Sequence, residues 1–114
     1  MPVQPERRAH PRYELYAQVQ VAREREVHIM RARHISRGGL FIQGHPETYP
    51  DLQVGARVEV VVFDADHPGR DDISLDAQVV RGDPSGFGLR FNNLTGFEAG
   101  ALDNLLRRLG QAQA

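Results

Sequence analysis

The sequence predicts an all-β domain with one C-terminal helix, the strands forming an antiparallel barrel or sandwich. Three observations carry that expectation. Six short runs alternate apolar and polar residues with turn residues between them, and the last segment changes to an apolar period of three and four. A length of 114 residues leaves room for one hydrophobic core and not two. Apolar residues at 40% and charged residues at 25% match ordinary globular chains and exclude wholesale disorder.

The elements follow in chain order. Residues 1–13 hold Pro2, Pro5 and Pro11 with three arginines and no apolar periodicity, so an extended, mobile arm is expected. From Glu14 to Ala22, Leu15, Ala17, Val19 and Val21 alternate with Tyr16, Gln18 and Gln20, the pattern of a half-buried strand. Arg23-Glu24-Arg25-Glu26 is a charged turn. A second strand runs from Val27 to Ile35, with Val27, Ile29 and Ile35 on one face and His28, Met30 and Ala32 on the other. Its alternation is poorer, because Arg31 and Arg33 share the face of Val27 and Ile29. Ser36-Arg37-Gly38-Gly39 interrupts the pattern and Leu40-Phe41-Ile42 resumes it.

His45 to Gly55 is a loop, Arg57 to Phe63 a strongly apolar strand, and Asp64 to Asp72 an acidic hairpin tip. Ile73, Leu75, Ala77 and Val79 alternate. After the Asp83-Pro84-Ser85-Gly86 turn so do Phe87, Leu89 and Phe91. In the last segment Phe97, Ala101, Leu102, Leu105, Leu106 and Leu109 form an amphipathic stripe over about residues 95–109. Thr95 and Glu98 make a capping box, Arg107 and Arg108 suit a last turn, and Gly110 is a natural stop. The stripe is expected to cover an open barrel end, or else to pair two chains. The expected organisation is thus an arm over 1–13 and a barrel with its closing helix over 14–110.

Composition narrows the function. The chain has no cysteine, which excludes disulfides, thiolate zinc sites and a cysteine nucleophile and fits a cytoplasmic setting. No apolar run reaches the roughly 20 residues of a membrane helix, and no secretory leader is expected from the Pro- and Gln-containing opening residues. Enzyme signatures are absent: no G-x-S-x-G, H-E-x-x-H, P-loop or G-x-G-x-x-G occurs, so neither catalysis nor a cofactor is expected. The histidines lack metal-ligand spacing. His28 and His34, six apart on a strand, are about 20 Å from each other. No metal site is expected.

Charge is distributed unevenly. Residues 1–40 carry eight Arg against four Glu, net +4, and residues 41–114 six Arg against eleven acids, net −5. Every basic residue is Arg, the planar cation suited to bidentate contact with phosphate or guanine. A barrel for RNA or single-stranded DNA would use such a front end, but aromatic residues at 7% without Trp supply no stacking platform.

Two constellations remain. Arg8 and Arg12, preceded by Arg7, are four apart on an extended chain, which points them to one side about 13 Å apart. His34-Ile35-Ser36-Arg37-Gly38-Gly39 offers a small hydroxyl and two glycines that admit close backbone approach or a nest of N–H groups. The same residues also suit a tight turn between strands.

An Arg-x-x-x-Arg arm before the first strand, followed by x-x-Ser-x-x-Gly after the second, resembles the PilZ domain family. Ala77-Gln78-Val79-Val80-Arg81 with Gly86-Phe87-Gly88-Leu89-Arg90-Phe91 is similar to the family's late hairpin, and the likeness spans about residues 7–109. The resemblance implies a six-stranded antiparallel barrel in a bacterial cytoplasm that binds the second messenger cyclic di-GMP. It also implies a protein partner in motility or polysaccharide control.

Carried over, Arg8 and Arg12 bond guanine and phosphate, and Arg7 assists a second ligand molecule. Ser36 bonds the ligand, while Gly38 and Gly39 permit close approach. The chain departs from the pattern at His34, where the family prefers Asp or Asn. The resulting expectation is a receptor, monomeric or weakly dimeric, whose arm orders on the barrel and changes the surface offered to a partner. The alternative is a degenerate PilZ domain that binds no nucleotide and serves as a protein-interaction module.

Overall fold

The computed structural model describes residues 15–64 and 72–113. The arm and the tip of the acidic loop lie outside them. Six strands appear in order: β1 (Leu15–Val21), β2 (Val27–Arg33), β3 (Gly39–Gln43), β4 (Arg57–Asp64), β5 (Ile73–Asp83) and β6 (Gly86–Phe91). One helix, α1 (Gly96–Gln113), follows. The strands are antiparallel and close into a barrel in the order β1-β2-β3-β6-β5-β4. The all-β class with a C-terminal helix is as the sequence predicts, and of barrel and sandwich it is the barrel.

Alternation builds the core. Ala17, Val19, Val58, Val60, Val62, Leu75, Val79 and Phe87 face inward and are nearly inaccessible to solvent. Register decides which face of β2 joins them. Val19 lies opposite His28 and Ala17 opposite Met30, and residues paired across antiparallel strands share a face. Met30 and Ala32 are therefore buried, while Val27 and Ile29 stand out with Arg31 and Arg33. Two guanidinium groups cannot enter an apolar core cheaply, so the arginines choose the face.

Each end of the barrel is closed by a different device. Tyr49 and Leu52, in the loop between β3 and β4, cover the end where β2 and β6 begin, and Tyr49 meets both His28 and Phe87 edge-on. The helix leaves β6 at the other end and contributes Leu102, Leu105 and Leu109 to the core. Its capping box forms as expected. The Thr95 N–H donates to the Glu98 carboxylate at 2.9 Å, and the Glu98 N–H donates to the Thr95 hydroxyl at 3.1 Å.

Two helix expectations are corrected. Phe97 does not join the apolar stripe but is 86% exposed, because it lies five residues and about 140° around the axis from Leu102. Gly110 does not stop the helix, which runs on to Gln113, so Arg107 and Arg108 fall before the last turn. A single helical glycine is tolerated where Gln and Ala, good helix formers, follow it.

Candidate functional site

The interruption between β2 and β3 folds as a tight turn. The Ser36 N–H donates to the Gly39 carbonyl at 2.8 Å, and the Gly38 N–H donates to the Ser36 hydroxyl at 3.3 Å. That hydroxyl donates in turn to the Gly39 carbonyl at 3.4 Å. The Phe91 N–H, donating to the Gly38 carbonyl at 2.8 Å, ties the turn to the end of β6. Both contacts of the Ser36 hydroxyl are long for hydrogen bonds, so an incoming ligand can replace them at little cost.

The glycines play different parts. A Cβ on Gly39 would collide with the Leu89 carbonyl oxygen, so glycine is required there by the approach of β3 to β6. A Cβ on Gly38 would meet open space. Neither takes a positive φ; the left-handed residue is His34, at φ 53°. Asn and Asp, with His, are the side chains that tolerate this region best. A backbone reason for Asp or Asn at this position therefore stands beside any contact with a ligand.

His34, Ser36, Gly38 and Gly39 line one side of an open groove of about 580 Å³ on the outer surface of β3 and β6. The opposite wall comes from the β5–β6 hairpin through Arg81, Asp83 and Ser85. Of these hairpin residues, Arg81 has a cause legible only in the structure. Register jumps between Val79, opposite Leu89, and Arg81, opposite Gly88, so Val80 is a bulge. The bulge turns Arg81 outward, where its guanidinium lies 5.7 Å from the centre of the Phe41 ring. A side chain at Gly88 would come up against Arg81, so glycine keeps the groove floor low.

Electrostatics sorts the groove's charges. Asp83 is held below the usual carboxylate range, chiefly by the Ser85 hydroxyl, which donates to it at 2.5 Å, and by the Ser85 N–H at 2.8 Å. It is ionised at neutral pH. Arg37, inside the turn, is committed elsewhere: its guanidinium donates to both Asp103 oxygens of α1, at 2.7 and 2.6 Å. That fork raises the Arg37 pKa and lowers that of Asp103. The turn is thereby bolted to the helix.

Of the residues the sequence singled out, the structure brings His34, Ser36, Gly38 and Gly39 to one groove. Arg7, Arg8 and Arg12 lie outside the described residues. The described chain begins at Leu15, and Tyr16 pairs with Arg31, three residues before His34. The arm's point of entry is thus at the same barrel end as the turn. Phe41, Arg81 and Asp83 were not singled out as groove residues. Outward alternation on β3 could have found Phe41, but the bulge hides Arg81.

The chain matches the family model described as the PilZ domain over residues 6–108. No curated protein matches it. The matched family is one of binding and receptor domains generally associated with cyclic di-GMP. Among the described residues, no helix is long and apolar enough to cross a membrane.

Proposed function

The chain belongs to the PilZ domain family, and we propose that it is a receptor for cyclic di-GMP in a bacterial cytoplasm, with no catalysis of its own. One observation carries the reading: Ser36, Gly38 and Gly39 share a groove with an outward arginine over an aromatic ring, beside the place where the arm enters β1. A cyclic dinucleotide presents two flat bases, two phosphates and guanine N–H donors. Arg81 can stack on a base or bond its O6/N7 edge, and the Ser36 hydroxyl can donate to a phosphate.

Asp83, ionised on the hairpin wall, supplies a charged acceptor for guanine N–H groups in a groove where His34 brings no carboxylate. Arg8 and Arg12 close from the arm onto base and phosphate, with Arg7 beside them, and ordering of that arm alters the surface a protein partner meets. His34 favours a second reading, a domain that has lost nucleotide binding and serves only as an interaction module.

Isothermal titration of the full chain with cyclic di-GMP, with GTP as control, separates the two and reports one or two ligands per chain. The receptor reading expects saturable binding of cyclic di-GMP alone. Equal, negligible heats for both nucleotides would leave the interaction module.

A further inference from the structure

At the barrel end away from the Ser36–Gly39 turn, three side chains from separate segments bring donor atoms together. Glu26 ends the β1–β2 turn, His28 is the second residue of β2, and Asp51 lies in the loop between β3 and β4. One ligand atom from each lies within 4.8 Å of the other two. His28 faces inward, opposite Val19, with its side chain only 14% exposed and its ring seated against the edge of Tyr49. Its Nε2 is aimed at both Asp51 oxygens, at 2.9 and 3.2 Å.

We propose that Glu26, His28 and Asp51 form a site for a divalent transition-metal ion of the zinc type. Donor chemistry selects the class. One imidazole nitrogen and two carboxylates suit a borderline ion, whereas calcium takes six to eight oxygens and magnesium keeps most of its water. Spacing agrees. Metal–ligand bonds of about 2.0–2.2 Å in a tetrahedron put donor atoms roughly 3.4 Å apart, between the His28–Asp51 separation and the 4.8 Å limit. Turning the exposed Glu26 side chain closes the remaining gap.

On binding, the ion takes the place of the Nε2 proton, which leaves to solvent, and the two carboxylates offer it their oxygens. Three protein donors leave a fourth position for water. The ion would staple the β3–β4 loop, which covers this barrel end through Tyr49 and Leu52, to the start of β2. Nothing in this assignment depends on nucleotide binding.

Metal-free full-length protein titrated with zinc chloride tests the proposal, with calcium and magnesium chloride as controls. One zinc ion per chain is expected, with a melting temperature raised by about 10 °C at hundredfold excess over Kd and little response to calcium or magnesium. Glu26→Gln, at an exposed position, should weaken zinc binding by about tenfold or more while leaving the metal-free melting temperature unchanged. His28→Asn should abolish it. No zinc binding by the parent, or unchanged zinc affinity in Glu26→Gln, would overturn the assignment.

Discussion

His34 is the residue at which backbone geometry and ligand chemistry can be separated by substitution. Its φ of 53° lies in the left-handed region, which costs an ordinary L residue about 1–2 kcal/mol. His tolerates the region better than most residues, so His34→Gly, which removes the smaller remaining cost and adds about 0.5–1 kcal/mol of unfolded-chain entropy, should change stability by less than about 0.5 kcal/mol. The melting temperature should move by less than about 4 °C. His34→Asp tolerates the same backbone and adds a charged acceptor at the groove wall, where a hydrogen bond to a charged group is worth about 1.5–3 kcal/mol. Cyclic di-GMP should bind roughly ten- to a hundredfold more tightly to His34→Asp, and His34→Asn should fall between it and the parent. Scanning calorimetry reads the first effect and isothermal titration the second. Affinities of His34→Asp and His34→Asn equal to that of the parent would refute the claim that this position faces the ligand.

Further outcomes follow from the same geometry. Gly39→Ala drives a methyl group into the Leu89 carbonyl and should cost about 1–3 kcal/mol in denaturant unfolding, whereas Gly38→Ala should leave stability nearly unchanged. Arg81→Ala should weaken cyclic di-GMP binding about tenfold or more by titration while the melting temperature holds, since its guanidinium lies on the outer surface. Asp103 has a lowered pKa in the folded chain, so its pairing with Arg37 contributes stability above the ordinary carboxylate pKa of about 3.9, lost as pH falls through the folded value. Carboxyl NMR should therefore find Asp103 titrating below the ordinary range in the parent and returning to it in Arg37→Ala.

Strand order in the sequence was legible because each strand buries one face, and alternation of Val, Leu and Ala reports that directly. The helix start was legible because Thr95 and Glu98 satisfy orphan N–H groups in a way visible at three-residue spacing. Three features were not. Phe97 shares the apolar character of the stripe but not its angle, and only the burial of Leu102 and Leu105 fixes the angle. The bulge at Val80 leaves no local mark, since Val79-Val80-Arg81 reads equally well as unbroken strand. Histidine spacing alone could not pair His28 with Asp51, because 23 residues and barrel closure separate them. In the turn, Ser36 and Gly39 were readable by type. Yet the conformational freedom expected of the glycines is used by His34, and Gly39 answers to Leu89.

The central claim is that cyclic di-GMP lies in the groove between the Ser36–Gly39 turn and the β5–β6 hairpin, with the arm closed over it. Amide hydrogen exchange on the full chain, with and without saturating cyclic di-GMP, tests both halves in one measurement. Ligand should slow exchange at Gly38, Gly88 and Arg81 and also at Arg8 and Arg12, leaving the loop around Asp51 unchanged. Exchange unaltered at the turn and the arm, or protection confined to the loop around Asp51, would contradict it.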